Sequence, residues 1–157
     1  MHRGKQEKNM SDKINEHQII VLFNLDEQHY ALNLSTVERV IPIVEITSLP
    51  KTPEIVMGVI NFHGEVIQVV NIRALFNLPV HEIELDEQLI IARVSKQLIA
   101  LVVDSVLGIH KLEYCQIATN ENTLSRADYL SGIAKVGNDI VMVLDEQKIL
   151  EETINTD

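Results

Sequence analysis

Two stretches from the first half of this 157-residue chain recur, without gaps, in its second half. At an offset of 69, Val21-Leu22-Phe23-Asn24-Leu25-Asp26-Glu27-Gln28-His29-Tyr30-Ala31-Leu32 lies over Ile90-Ile91-Ala92-Arg93-Val94-Ser95-Lys96-Gln97-Leu98-Ile99-Ala100-Leu101. Gln28/Gln97, Ala31/Ala100, Leu32/Leu101 and Val37/Val106 are identical. At an offset of 74, Gly58-Val59-Ile60 lies over Gly132-Ile133-Ala134, Glu65-Val66-Ile67 over Asp139-Ile140-Val141, and Leu75-Phe76 over Ile149-Leu150. A repeat of about 70 residues is too long for a solenoid unit. It reads as one small β-rich module written twice. Two such modules packed together leave a groove between them, and the groove is the expected seat of function.

Composition sets limits on that function. Apolar residues make up 46% of the chain, aromatics only 4%, and Trp is absent, so the core has to be aliphatic. The formal net charge is -10 and there is no long basic run, which argues against nucleic acid and against an anionic membrane surface as partners. The single thiol, Cys115, cannot form an internal disulfide, so the cytoplasm is the expected compartment. No apolar run approaches the roughly 18 residues of a membrane span. Residues 1–16 lack the apolar middle of a signal peptide and read, with 153–157, as loose tails. Residues 17–152 form the domain, its two halves falling near 17–78 and 87–152 around an acidic linker. Exchange of terminal elements between the halves stays open.

Hydrophobic periodicity and turn residues divide the chain into short strands. Residues 18–25 and 28–34 flank Asp26-Glu27. Ser35 reads as the cap of one helical turn over 36–40, closed by Pro42. Residues 58–62 and 65–70 flank His63-Gly64, where Gly64 suits a positive φ. Asn71 caps a short helix over 72–76 that shows Ile72, Leu75 and Phe76 on one face. The second half repeats the scheme with strands at 89–94, 98–103, 106–111, 129–136 and 140–144, then a helix over 146–152 capped by Asp145. Residues 112–128 are polar and read as a loop. The apolar strands 89–91 and 100–103 carry apolar residues on both faces, one for a module interior and one for the space between modules. The expected fold is all-β with short helices, in two small barrels packed together.

Signatures of catalysis are missing. There is no His-Glu-x-x-His, Cys-x-x-Cys, P-loop or Gly-x-Ser-x-Gly, and the six histidines are scattered. No metal site, cofactor or catalytic residue is expected. Cys115 has no evident base beside it. Asp104 reads as a turn carboxylate bonding the backbone at Ser105-Val106. Glu82, Glu84, Asp86 and Glu87 read as a solvated linker run. The informative residues are then apolar ones beside turns. Val37 and Val40 lie one helical turn apart, as core or contact. Phe62, before the His63-Gly64 turn, is a core plug or an exposed anchor of the kind that dominates interfaces.

Taken together, Gly58-Val59-Ile60-Asn61-Phe62-His63-Gly64-Glu65-Val66-Ile67-Gln68-Val69-Val70-Asn71-Ile72-Arg73, Tyr30-Ala31-Leu32, Thr36-Val37-Glu38-Arg39-Val40-Ile41, Ala100-Leu101-Val102-Val103-Asp104-Ser105-Val106 and Tyr129-Leu130-Ser131-Gly132-Ile133-Ala134 resemble the CheW family of chemosensory adaptors. The likeness covers roughly residues 17–152, in order. It implies two five-stranded SH3-like barrels and a role without catalysis. The implied partners are the regulatory domain of the histidine kinase CheA, the cytoplasmic tip of a chemoreceptor, and other domains of the same fold in rings. On this likeness the partner-binding residues are Val37, Arg39, Val40, Phe62 and His63 from the first module, with Ile99 and Ala100 from the second. Gly58, Gly64 and Gly132 are structural. Three positions depart from the family's usual pattern: His63 stands where Arg is common, Arg39 where an acid is common, and Gln68 where Pro is common. Losing a bidentate donor at one and reversing charge at the other bears on partner choice. A regulator that binds the kinase without coupling it, and a barrel that takes a peptide or small ligand, are the alternative readings.

Overall fold

The structure is a computed structural model that describes residues 18–112, 115–116 and 129–154. The tail over 1–16 and most of the polar stretch 112–128 lie outside the described residues. Among the described residues eleven strands form two sheets. They are β1 (Gln18–Leu25), β2 (Gln28–Asn33), β3 (Val37–Pro42), β4 (Val56–Phe62), β5 (Glu65–Val70), β6 (Gln88–Val94), β7 (Gln97–Val103), β8 (Ser105–Leu112), β9 (Cys115–Gln116), β10 (Leu130–Val136) and β11 (Asp139–Leu144). The first sheet runs β8-β1-β2-β11-β10-β9 and the second β3-β6-β7-β5-β4. The described residues also form two α-helices, α1 (Ile72–Leu75) and α2 (Glu146–Ile154).

The repeat governs this topology down to single residues. Offsets of 69 and 74 turn β6-β7 into β1-β2, β3 into β8, and β4-β5 into β10-β11, so one sheet order becomes the other. The parallel pair β5–β7 sets Gln68 against Ile99 and Val69 against Ala100. The parallel pair β11–β2 sets Met142 against Tyr30 and Val143 against Ala31, the same register moved by the two offsets. Bulges repeat as well. One lies between Val56 and Gly58 and its copy between Leu130 and Gly132. Another lies between Val37 and Arg39, and its copy lets β8 step from Val106 to Gly108.

The sheets do not divide at the linker, as a split into 17–78 and 87–152 would require. The second sheet is one continuous run, β3 to β7. The first is assembled from the opening hairpin β1–β2 and the strands after Asp104. Each half of the repeat therefore gives its first hairpin to the sheet of the other half. Alternation then sorts the side chains into three cores. Ile20, Leu22, Ala31, Val141 and Val143 fill the first sheet's own core. Ile60, Ile67, Val69, Leu89, Ile91 and Ala100 fill the second's. Phe23, Tyr30, Leu32, Ile90, Ile99 and Leu101 meet in the seam between the sheets, closed by Ile72, Phe76, Ile149 and Leu150 from the helices.

Two local expectations change. Residues 36–40 are not helical: Leu34–Thr36 make a single 3-10 turn and Val37 begins strand β3. Helix α2 runs on to Ile154, and Thr153, expected in the tail, is 1% exposed and donates its hydroxyl to the Leu150 carbonyl at 2.7 Å. Asn71 does cap α1, its Oδ1 accepting from the Arg73 and Ala74 amides at 3.0 and 3.4 Å. Asp145 does the same for Lys148 at 3.2 Å.

Candidate functional site

Strand β3 lies at the edge of the second sheet, where among the described residues β6 is its one strand neighbour. Its bulge puts two residues, Val37 and Glu38, opposite Ala92. The extra residue resets the alternation. Val37 and Val40 consequently share a face, and both rest half-buried on the shared seam core. Glu38 and Arg39 point outward and are exposed. Glu38 accepts from Arg93 Nε on β6 at 2.6 Å. That bond, with the further attraction of Glu65, raises the Arg93 guanidinium above its ordinary value.

Arg93 also lines an open groove of about 430 Å³ with Glu65, Ile67, Lys96, Gln97 and Leu98. The groove crosses the end of β6, β7 and β5. The β4–β5 turn closes on Glu65, since Phe62 pairs with that residue. His63 and Gly64 both take positive φ, 51° and 84°, the twist a two-residue hairpin favours. The Asn61 carboxamide accepts from the Gly64 amide at 3.0 Å, which replaces a backbone partner. His63 is exposed, and its ring stands edge-on to Phe62 at 4.3 Å between centroids. Phe62 is half-buried on the second sheet's core. Next to the turn, Val66 is 72% exposed.

The structure thus sorts the residues named from the sequence. Val37, Arg39 and Val40 share one strand, and Phe62 and His63 share one turn. Both groups border the end of the second sheet that carries Arg93 and Glu65. Ile99 and Ala100 do not belong to any surface. They are 1% and 0% exposed, because β7 is the central strand, covered on both faces. Ile99 points into the seam and Ala100 into the second sheet's own core. Gly58 sits at a bulge where any Cβ would run into the Thr47 carbonyl. Gly132 occupies the copy of that bulge.

Sequence reasoning missed Arg93, Glu38 and Val66 as surface members. Arg93 is the one charge in Ile90-Ile91-Ala92-Arg93-Val94, and that break in an apolar strand was the available signal. It also missed a buried cation. Arg73 on α1 is 6% exposed; it donates to Asp26 at 2.8 Å and to Asp104. Asp104 accepts the Asp26 amide at 2.7 Å, not the amides of Ser105 and Val106. The acids Glu82 to Glu87 are not uniformly solvated either, since Glu87 is 5% exposed. Among the described residues one histidine, His81, approaches a pair of carboxylates, Glu87 and Asp104.

These features lie along an open surface rather than in an enclosed pocket. Comparison with known proteins bears on its use. The model of the CheW-like domain matches residues 20–153. A chemotaxis protein CheW from Thermotoga maritima is 30% identical over 145 residues, covering 92% of this chain and 95% of that protein. A chemotaxis protein CheW from Helicobacter pylori is 24% identical over 131 residues, covering 83% and 79%. Among solved structures, the scaffolding protein TtCheW from Thermoanaerobacter tengcongensis superposes with a TM-score of 0.75 at 28% identity, covering 82% of this chain and 89% of that one.

Proposed function

This chain belongs to the CheW-like domain family, and from that membership we propose that it is a non-catalytic adaptor coupling chemoreceptor cytoplasmic tips to the histidine kinase CheA. The observation that carries the reading is the edge strand β3. It presents Val37 and Val40 at the rim of the seam and an exposed Arg39 beside them. A partner laid against that rim covers half-buried apolar side chains at little ordering cost, because the strand already holds them. The turn Phe62-His63 and the groove at Arg93 give a second, more polar border where charge selects the partner. No helix among the described residues is long and apolar enough to cross a membrane. In this reading the protein reaches the membrane through its receptors and works in the cytoplasm.

The test is calorimetric titration of the chain with the CheA regulatory domain, followed by a receptor cytoplasmic fragment, with kinase autophosphorylation as readout. A ternary complex that changes kinase rate supports the adaptor role. Binding to neither protein removes it. Arg39 and His63, both exposed and both departing from the usual family pattern, favour one second reading: a regulator that binds the kinase and does not couple it. Kinase binding with no receptor affinity would select that reading.

A further inference from the structure

The linker between β5 and β6 is not free. Arg73 donates to the Pro79 carbonyl at 3.4 Å, and the Glu84 amide and carbonyl bond back to Glu87 at 3.1 and 3.0 Å. The fold brings His81 and Glu87 from this linker to Asp104, where the chain crosses from the second sheet to the first. A cavity of about 200 Å³ opens there, lined by Asp26, Arg73, His81, Glu84, Asp86, Glu87 and Asp104. Five carboxylates face one arginine, and that arginine is already engaged by Asp26 and Asp104.

Two observations point to a cation. First, His81 Nδ1 lies 2.7 Å from the Glu82 carbonyl. A carbonyl only accepts, so Nδ1 carries a proton and Nε2 is the ring nitrogen left to act as a metal ligand. Nε2 faces Glu87 Oε2 at 3.8 Å. The distance is too long for a hydrogen bond. It does suit two ligands on one metal ion at about 2.1 Å each, subtending about 130°. Second, Glu87 is 5% exposed, yet among the described residues its one hydrogen-bond donor is the Glu84 amide. A buried carboxylate is stabilised by a cation placed beside it.

We propose that His81, Glu87 and Asp104 form a site for a borderline divalent metal ion of the zinc class. The ligand atoms of the three residues lie within 4.8 Å of one another. Two ligands on one tetrahedral zinc ion stand about 3.4 Å apart, so closing the group needs movement of up to about 1.4 Å. One imidazole with two carboxylates suits zinc, cobalt, nickel or manganese and not a soft thiophilic ion. Asp104 is held for the metal by Arg73 and the Asp26 amide, an orienting partner of the kind that metal sites use. Bound metal would fasten the linker to the crossing between the two sheets.

The experiment uses the full chain stripped with EDTA and titrated with cobalt(II) chloride, followed by visible d–d absorption. Displacement by zinc chloride is read by calorimetry. One cobalt per chain is expected, with a melting temperature that rises with metal concentration. His81→Ala and Glu87→Gln should each weaken binding at least about tenfold, while His110→Ala leaves it unchanged. His81 is on the surface and Glu87→Gln keeps its volume, so both metal-free variants should melt as folded proteins. Absence of d–d bands in the wild type would overturn the site. So would bands that survive both substitutions, which would place the metal on other histidines.

Discussion

Arg73 Nη1 meets Asp26 Oδ1 at 2.8 Å, tying helix α1 to the turn of a hairpin that belongs to the other sheet. The repeat supplies its own control. Moved by the two offsets, the pair becomes Gln147 and Ser95, and the Ser95 hydroxyl bonds Gln147 Oε1 at 2.6 Å. One copy of the contact is ionic and buried at the guanidinium; the other is neutral and exposed. Arg73→Met leaves Asp104 and Asp26 without their cation and should cost about 2 kcal/mol, lowering Tm by about 4–8 °C. Gln147→Ala should cost less than about 1 kcal/mol. Equal losses in thermal melts would mean that the buried ion pair adds nothing over the neutral bond.

Glycine substitutions separate backbone strain alone, at Gly64, from strain with collision, at Gly58. At Gly58 a methyl group meets the Thr47 carbonyl, beside the bridge that pairs Thr47 with Val59 on β4. At Gly64 nothing lies within 4 Å of an added Cβ, and only the positive φ of 84° opposes it. Gly64→Val should therefore cost about 1–2 kcal/mol, with binding retained once folded. Gly58→Ala should cost more, because backbone has to move. Urea midpoints in the opposite order would refute the assignment.

Glu146 gives a pH dependence of definite sign. Burial raises its carboxyl, against the bonds it accepts from the Asn33 amide and the Thr36 hydroxyl at 2.9 and 3.1 Å. A carboxyl raised in the folded state stabilises the fold at low pH, and that contribution is lost as pH rises through the folded value. Glu146→Gln keeps an acceptor and removes the titration. The variant should gain on the wild type in thermal melts between pH 4 and pH 7. A constant difference across that range would contradict the prediction.

Surface and core members of the named site should part cleanly. Ile99→Ala empties volume in the seam and should cost about 2–4 kcal/mol of stability, without a separate effect on partner affinity. Arg39→Glu should leave Tm unchanged and alter partner affinity by about 1–3 kcal/mol, a five- to 150-fold change in Kd. If Ile99→Ala lost affinity while keeping its melting temperature, our placement of β7 in the core would be wrong.

Much of this fold was legible in the chain, because two-residue alternation and turn residues mark strands directly. The hairpin turns at 26–27, 63–64, 95–96 and 137–139 fell where Asp26, Gly64, Ser95 and Gly137 take positive φ. What resisted reading has physical causes. The bulge after Val37 places Val37 and Val40 on one face at a spacing of three, which is the signature of a helix, and so a strand looked helical. The exchange of hairpins was hidden by the repeat itself. Ile20, Leu22 and Ala31 match Leu89, Ile91 and Ala100, so either hairpin suits either sheet and no residue pattern distinguishes them. Ile99 and Ala100 looked available because sheet order, which makes β7 central, is a long-range fact. The clusters around Arg73 and His81 gather residues up to 78 apart, which spacing along the chain does not reveal.

The continuous run from β3 to β7 has a consequence for how the molecule is born. A chain emerging at about 5–20 residues per second exposes all five strands of the second sheet before any of β8 to β11 exists. That sheet can close on itself while β1–β2, already synthesised, waits with its apolar face uncovered. Its mates arrive last and must be joined across an intervening stretch whose closure costs entropy. The order of synthesis thus makes the opening hairpin the part most exposed to wrong partners, including the matching strands β6–β7 of a neighbouring nascent chain.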